Sequence, residues 1–167
     1  SYSHVRAVNL SKDNAIKLVL PGSRKLGIVE FPETLLSWDY FVSVACLRRH
    51  ITERMAGSLE NLFYCVPRNS TRYLLEPCLS DVLVDLNMFF RPDLAIVDAT
   101  IALGGAGPLE GRPRCLGKLI SSNSAVSADV VSARLIGERP SKIPHLRKCM
   151  KALGIDERLM HLEGDLD

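Results

Sequence analysis

Two stretches of this chain are apolar at almost every position, and they constrain the fold more than any other feature. Residues 40–47 and 94–103 lack the alternation of a strand that has one wet face. Both stretches are also much shorter than the roughly 20 apolar residues that a membrane-spanning helix needs. The pattern therefore predicts two strands that are buried on both faces at the centre of a sheet, and it predicts no membrane span.

Helical patterns separate and follow these two strands. Apolar residues recur at helical spacing in four segments, 51–63, 79–90, 125–135 and 143–153. Thr52 is the expected cap of the first helix, Pro92 lies just beyond the second, and Gly137 and Gly154 follow the other two. Strands that alternate with helices predict an α/β fold with a mixed, mostly parallel sheet covered by helices.

Shorter strands are expected towards both ends of the chain. Residues 14–20 and 25–31 are separated by a Pro-Gly turn dipeptide, which predicts an N-terminal hairpin. Residues 116–121 form a further predicted strand, and residues 159–162 are a candidate edge strand. The hairpin is expected to precede the α/β core and not to interrupt it.

The length and the charge of the chain limit its class. At 167 residues it fits a single domain, 1–167, in which residues 1–37 form a hairpin extension to a core over 38–153. The 21 basic and 19 acidic side chains give a net charge of +2, and aromatic residues make up only 6%. A nucleic-acid-binding domain normally has a larger basic excess with interleaved aromatic residues. We therefore expect neither a nucleic acid nor a membrane as a partner.

The cysteines are expected to be reduced and buried. They occur singly, without a C-x-x-C pair, at Cys46, Cys65, Cys78, Cys115 and Cys149. An odd number of isolated thiols predicts neither a disulfide scaffold nor a metal site, and it favours a reducing, cytoplasmic location. The chain opens with Ser1 and shows no signal-peptide pattern, so we expect a fragment of a longer protein.

A glycine-rich segment follows the second apolar strand. Residues 104–113 read GGAGPLEGRP, with glycines at Gly104, Gly105, Gly107 and Gly111. Glycines let a ligand approach the main chain closely, and Arg112 and Arg114 supply charge for a phosphate or a carboxylate. The segment matches neither the G-x-G-x-x-G nor the P-loop pattern. A wide connection between two strands that needs glycine for its turns explains it equally well.

Basic residues follow the first apolar strand, at Arg48, Arg49 and His50. Ligands of open α/β sheets collect at the carboxyl ends of strands, so these side chains can bind an anion there. His50 can then act as an acid or a base in catalysis. The alternative is a solvated strand end at which the histidine packs locally.

Three further polar residues are candidates for the same crevice. Asp98 lies inside an apolar run and therefore needs a partner, either a cation or a basic residue such as Arg48, Arg112 or His50. We consider it for catalysis and for a structural ion pair. Asp129 and Asn61 either reach the crevice as ligand-binding residues or face solvent. No nucleophile elbow is present, so we do not predict a hydrolase.

Residues 92–137 resemble the family called domain of unknown function 362. The segment PDLAIVDATIALGGAGPLEGRPRCLGKLISSNSAVSADVVSARLIG carries that family's strand-end aspartate, its Gly-Pro-x-x-Gly and its helix aspartate, and CLRRH and SLENLFY match two earlier motifs. The residues that keep the family type are His50, Asn61, Asp98, Gly107, Pro108, Gly111 and Asp129. The family's lysines and threonine are replaced by Cys46, Arg48, Arg49 and Glu60.

The resemblance implies that this chain is the C-terminal part of a longer protein, and some family members are joined to iron–sulfur modules. A looser similarity to nickel-pincer lactate racemases depends on a lysine that is Glu60 here, so we predict no nickel. Three hypotheses follow. The first is a small-anion site, catalytic or not, formed by 48–50, 98 and 104–114. The second is an accessory or interaction domain that has lost the family's basic residues, and the third is part of an iron–sulfur-linked redox protein. The sequence identifies no cofactor and no oligomeric state.

Overall fold

The computed structural model describes residues 4–67, 75–105 and 111–164. The predicted ligand-binding residue Gly107 and the family-type residue Pro108 lie outside these residues. The strands are β1 (Ala15–Val19), β2 (Ile28–Pro32), β3 (Val42–His50), β4 (Arg54–Ala56), β5 (Leu94–Gly104) and β6 (Arg112–Ser122). The α-helices are α1 (Ser58–Asn61), α2 (Leu79–Phe89), α3 (Ala125–Leu135) and α4 (Pro144–Leu153). Short 3-10 turns span Leu10–Lys12, Glu33–Leu36, Leu62–Cys65, Glu76–Cys78 and Pro140–Lys142.

The strands form a mixed four-stranded sheet and a separate hairpin. The order in the sheet is β4-β3-β5-β6, and β1 pairs with β2 in antiparallel register. The central pair, β3 and β5, is parallel, while β4 and β6 join its two sides in antiparallel register. The predicted α/β class, mixed sheet and N-terminal hairpin are confirmed. Parallel pairing is confined to the central pair.

The predicted helices over residues 125–135 and 143–153 are confirmed. Residues at their ends cap them. The Ser124 side chain accepts a hydrogen bond from the backbone of Ser127 at 3.2 Å and caps the start of α3. Gly137 follows α3 with φ of 77°, and Gly154 follows α4 with φ of 65°. Glycine adopts this left-handed conformation without the strain that a Cβ would bring.

The predicted helix over residues 51–63 is wrong in its first half. The chain turns at residues 51–53 and returns as β4, and α1 begins only at Ser58. The Nδ1 atom of His50 accepts a hydrogen bond from the backbone of Glu53 at 3.1 Å, and Arg54 adopts φ of 66°. Thr52 caps no helix, since its hydroxyl lies 3.2 Å from the same Nδ1 atom. Pairing between β3 and β4 thus replaces the helix that the apolar spacing predicted.

The strand predictions near the C-terminal half need two corrections. β6 begins at Arg112 and is longer than the predicted 116–121. Residues 159–162 form no strand in the described part of the chain. None of the described helices has the length and hydropathy that a membrane span requires.

Two apolar clusters hold the helices in place. In the larger one, α3 and α4 pack on one face of the sheet against side chains such as Leu47, Val97 and Ala99. In the smaller one, the hairpin packs against α2, and the rings of Phe31 and Phe90 stack with centroids 4.0 Å apart. The helices therefore cover one side of the sheet and anchor the hairpin beside it.

No described helix covers the other side of the sheet, which corrects the expectation of strands buried on both faces. Along β3, Ala45 and Leu47 are buried, whereas Val44 is 61% exposed. We call this side the open face. Its side chains are Val42, Val44, Cys46, Leu94, Ile96, Asp98, Ile101, Cys115, Leu119 and Ser121. The apolar runs of the sequence reflect one face in the core and one apolar face outside it.

Candidate functional site

The sheet register brings the two predicted basic segments to the same end. Arg48 of β3 lies beside Leu103 of β5, and Gly104 of β5 lies beside Arg112 of β6. Arg114 pairs with Ala102, two residues before Gly104 on β5. Because β3 and β5 are parallel, their carboxyl ends meet where β6 begins. The strand-end arginines are therefore neighbours in space.

An open depression of about 300 Å³ lies at this end of the sheet. Its lining residues are Arg49, His50, Ile51, Arg54, Gly105 and Glu138. Gly105 has φ of 94°, and a Cβ at Gly111 would collide with the carbonyl oxygen of Gly104. Gly105 and Gly111 are thus required, because the backbone crosses closely at the base of the loop.

Glu138 fixes two of the arginines. Its carboxylate forms ion pairs with Arg49 and with Arg54, the latter at 2.8 Å, and Arg49 also donates to the carbonyl oxygen of Ile136 at 3.1 Å. Burial alone would raise the pKa of Glu138, but the hydrogen bonds from Arg54 and Arg49 outweigh it and hold this pKa below its usual range. Glu138 therefore partly neutralises the positive charge of Arg49 and Arg54 in the lining of the depression.

The remaining strand-end arginines form no ion pair among the described residues. Arg48, Arg112 and Arg114 form no ion pair with any residue in 4–67, 75–105 or 111–164. The Nε atom of Arg48 is buried without a hydrogen-bond partner there. Among the described residues, the lining of the depression contains two arginines and one acidic residue, Glu138.

His50 borders the depression with a defined ring orientation. Its Nδ1 atom accepts the hydrogen bond from the Glu53 backbone, so a neutral ring carries its proton on Nε2. The imidazole can therefore present a donor to a bound anion, or transfer a proton from that atom. The geometry of His50 is therefore compatible with the acid or base role that the sequence suggested for it.

Asp98 lies elsewhere, and its expected partners are wrong. It is in the middle of β5 on the open face, between Cys46 and Leu119. The carboxylate accepts hydrogen bonds from the Thr100 hydroxyl and, at 2.8 Å, from the Thr100 backbone, and these bonds lower its pKa. Asp98 does not line the depression.

Asn61 and Asp129 hold α1 in place. The amide of Asn61 donates to the Ser43 hydroxyl at 3.0 Å and to the Val44 carbonyl at 3.2 Å. The fully buried Asp129 accepts hydrogen bonds from the backbone of Ser58 at 2.7 Å and of Leu59 at 3.0 Å. Burial outweighs these bonds and raises the pKa of Asp129 to about 6. A Cβ at Gly57 would collide with this carboxylate.

Sequence reasoning missed a buried polar network around Glu53. The Glu53 carboxylate accepts from the Ser80 hydroxyl at 2.7 Å and from the backbone of His145 at 3.0 Å, and it lies 3.0 Å from Nδ1 of the same histidine. Burial would raise the pKa of Glu53, but the bonds from His145 and Ser80 lower it below its usual range. These partners are far apart in the chain, and no local pattern indicates them. Glu138 was missed for the same reason.

Glu60, which the resemblance aligns with a family lysine, is 2% exposed. The Tyr64 hydroxyl donates to it at 3.2 Å, while its second oxygen has no partner within the described residues. Burial raises the pKa of Glu60, against the opposing charges of His50, His145 and Arg48. A buried carboxylate therefore stands close to the strand-end basic residues.

The described residues contain no group of three or more His, Cys, Asp or Glu side chains that could hold a metal ion. All five cysteines are free, and Cys46 and Cys115 are exposed, which corrects their expected burial. Cys149 is buried, and burial raises its pKa to about 12. That thiol is therefore a packing residue and not a nucleophile.

These observations define a small α/β domain whose parallel strand ends carry a basic depression. The chain belongs to the family described as "Domain of unknown function (DUF362)", whose model matches residues 2–134. The match begins before the hairpin, and it therefore includes residues that precede CLRRH, SLENLFY and the segment 92–137.

One relative is the "Thylakoid-associated protein sll1697" of Synechocystis sp. (strain ATCC 27184 / PCC 6803 / Kazusa). It is 30% identical over 112 residues, which cover 64% of this chain and 35% of the relative. The chain thus matches about a third of that protein's length. No solved structure matches this chain.

Proposed function

We propose that the depression at the strand ends binds a small anion, a phosphate or a carboxylate. The observation that carries the proposal is the register that places Arg48, Arg112 and Arg114 at one end of the sheet without ion-pair partners among the described residues. An arginine matches the planar geometry of both anions with two parallel N–H donors. The positive end of the sheet is the place where such a ligand is stabilised.

The depression and the β6 strand next to it have separate roles in this proposal. Gly105 allows the ligand to approach the main chain, and Nε2 of His50 supplies a neutral donor. Arg112 and Arg114 are not lining residues and supply charge from the neighbouring start of β6. If the ligand is also a substrate, His50 is the residue that transfers the proton. Asp98 has no role in this site.

Isothermal titration with inorganic phosphate and with citrate tests the proposal. Replacing both Arg112 and Arg114 by alanine removes two charges, and we expect the affinity for the bound anion to fall by about tenfold or more, since a charged hydrogen bond contributes about 1.5–3 kcal/mol. Lys151→Ala is the matched control, because this lysine lies in the last turn of α4. Equal affinities for the wild type and the double variant, or no binding of either anion, would contradict the proposal.

A second candidate is an accessory domain that has lost the family's chemistry. Glu60 reverses the charge of a family lysine, and Asn61 and Asp129 are engaged in holding α1. Under this alternative, Glu60→Lys leaves anion binding unchanged. Under the anion-binding proposal, the added positive charge near Arg48 and His50 raises the affinity.

The proposal includes a reducing compartment such as the cytoplasm. Its support is the absence of a disulfide among the five cysteines, all of which are free, with two of them exposed. Rapid formation of mixed disulfides at Cys46 or Cys115 in mild oxidant would be the corresponding behaviour of the purified protein.

A further inference from the structure

A second cleft, of about 150 Å³, lies at the start of α3, and we call it the α3 cleft. Its lining includes the first two residues of that helix, Ala125 and Val126, together with Asn87 of α2 and Arg91. Arg91 precedes the start of β5, whereas the depression lies beyond the carboxyl end of that strand. The two sites are therefore separated by the length of β5, and they share no described lining residue.

The start of α3 provides unpaired backbone donors. The Ser124 hydroxyl accepts a hydrogen bond from the N–H of Ser127, and the Ser124 carbonyl accepts one from the N–H of Ala128. The N–H groups of Ala125 and Val126 precede the first intrahelical bond, and no described residue accepts from them. Free N–H groups at a helix start favour the binding of an anion.

Arg91 adds a full positive charge to the lining of the α3 cleft. Its side chain is exposed, and it forms no ion pair with a residue in the described part of the chain. The described lining contains no aspartate and no glutamate. An anion in this cleft is therefore met by a guanidinium and by two backbone donors, without a like charge in the walls.

Asn87 shows what else the occupant has to bring. This side chain is 2% exposed, and its Nδ2 atom donates to the carbonyl oxygens of Leu59 at 3.0 Å and of Leu83 at 2.9 Å. Both amide protons are then used, which fixes Oδ1 as an acceptor, and no described residue donates to it. Because buried acceptors are nearly always satisfied, the unpartnered oxygen in this lining indicates a ligand that carries a hydrogen-bond donor.

We propose that the α3 cleft binds a short-chain hydroxycarboxylate. The carboxylate lies at Arg91 and at the N–H groups of Ala125 and Val126, and the hydroxyl of the ligand donates to Oδ1 of Asn87. This assignment gives a partner to each polar group that the described chain leaves unpaired in the lining.

The rest of the lining distinguishes this ligand class from other small anions. Leu59, Leu153 and Ile155 form apolar walls, which favour a carbon chain over an inorganic ion. An amino group in place of the hydroxyl would carry a charge into a lining that has no described carboxylate, and such burial is costly. A neutral hydroxyl avoids that cost.

Titration of isotope-labelled protein with α-hydroxybutyrate, β-hydroxybutyrate, butyrate and inorganic phosphate tests the proposal, with the amide resonances of Ala125 and Val126 as the readout. At least one hydroxybutyrate should shift these resonances to saturation, with the millimolar affinity expected of so small a ligand. Butyrate should bind about threefold or more weakly, because it has no donor for Asn87. No shift with either hydroxybutyrate, equal affinity for butyrate, or tighter binding of phosphate overturns the proposal.

Two variants test the assigned contacts. Arg91→Ala should weaken the binding of the hydroxybutyrate by about tenfold or more, whereas Arg147→Ala, which removes an exposed arginine of α4 outside the cleft, should leave it within about twofold. Asn87→Leu should remove the preference for the hydroxybutyrate over butyrate. Unchanged affinity in Arg91→Ala, or a folded Asn87→Leu that keeps the preference, overturns the assignment.

Circular dichroism establishes whether Asn87→Leu is folded, since this variant also loses the hydrogen bonds to Leu59 and Leu83. If it does not fold, the comparison of hydroxybutyrate with butyrate on the wild type decides the role of Oδ1. The double replacement of Arg112 and Arg114 by alanine should leave binding at the α3 cleft unchanged, because neither arginine lines it. Failure of the depression as an anion site and failure of the α3 cleft are therefore observed separately.

Discussion

Asp129 gives this protein a stability that depends on pH in a direction opposite to ordinary acid denaturation. The pKa of the carboxyl is about 6 in the folded chain, against 3.8 for an unperturbed aspartate. The folded state therefore binds this proton more tightly, and the contribution of Asp129 to the free energy of unfolding rises as the pH falls from 7 towards 4. A difference of this size in pKa corresponds to about 3 kcal/mol.

Asp129→Asn isolates this contribution, because asparagine keeps an acceptor oxygen for the backbone of Ser58 or Leu59 but does not titrate. Urea unfolding of both proteins between about pH 4 and pH 7 gives the two free energies of unfolding. We expect the wild type to gain up to about 3 kcal/mol relative to the variant on acidification across this range. The gain should be complete near the unperturbed pKa and lost as the pH rises through about 6.

Asp39→Asn is a matched control, since Asp39 is exposed just before β3. The difference between wild type and this control should stay nearly constant with pH. The reasoning is refuted if the difference between the wild type and Asp129→Asn is flat from pH 4 to pH 7, or if the wild type gains stability relative to this variant as the pH rises.

Three further perturbations follow from contacts described above. Glu53→Gln should lower the free energy of unfolding by about 3 kcal/mol, because it breaks a buried pair with His145, and chemical denaturation with no loss would contradict it. Glu138→Gln should raise anion affinity severalfold in titration calorimetry, because it releases Arg49 and Arg54, and weaker binding would argue against the depression. Phe31→Ala should cost about 3–5 kcal/mol through the cavity left beside Phe90, and a cost below 1 kcal/mol would mean that the hairpin is not anchored there.

Local signals explain which elements could be predicted from the sequence. The start of α3 is set by Ser124, and its end by the glycine that follows, so both boundaries are visible in the chain itself. The segment after β3 has equally good apolar spacing, but its first half pairs with β3 through contacts that spacing does not reveal. Tertiary pairing overrides the periodicity in that segment.

The sequence predicted which basic residues meet at the candidate site, but it did not predict where the acidic residues lie. Arg48, Arg49 and the glycine-rich segment meet because they follow parallel neighbouring strands, which the order of elements implies. Asp98 was placed at a strand end, although β5 continues beyond it to Gly104. Glu138 lies after α3, and nothing local shows that it pairs with β3.

The crossing of Gly104 and Gly111 also determines where this chain can change in length. The ends of β5 and β6 approach each other so closely at the base of the glycine-rich segment that no Cβ fits at Gly111. An insertion or deletion between these two positions changes the length of the loop without altering the register of β5 and β6. The same close crossing offers a defined point for grafting a foreign peptide, provided that both glycines are kept.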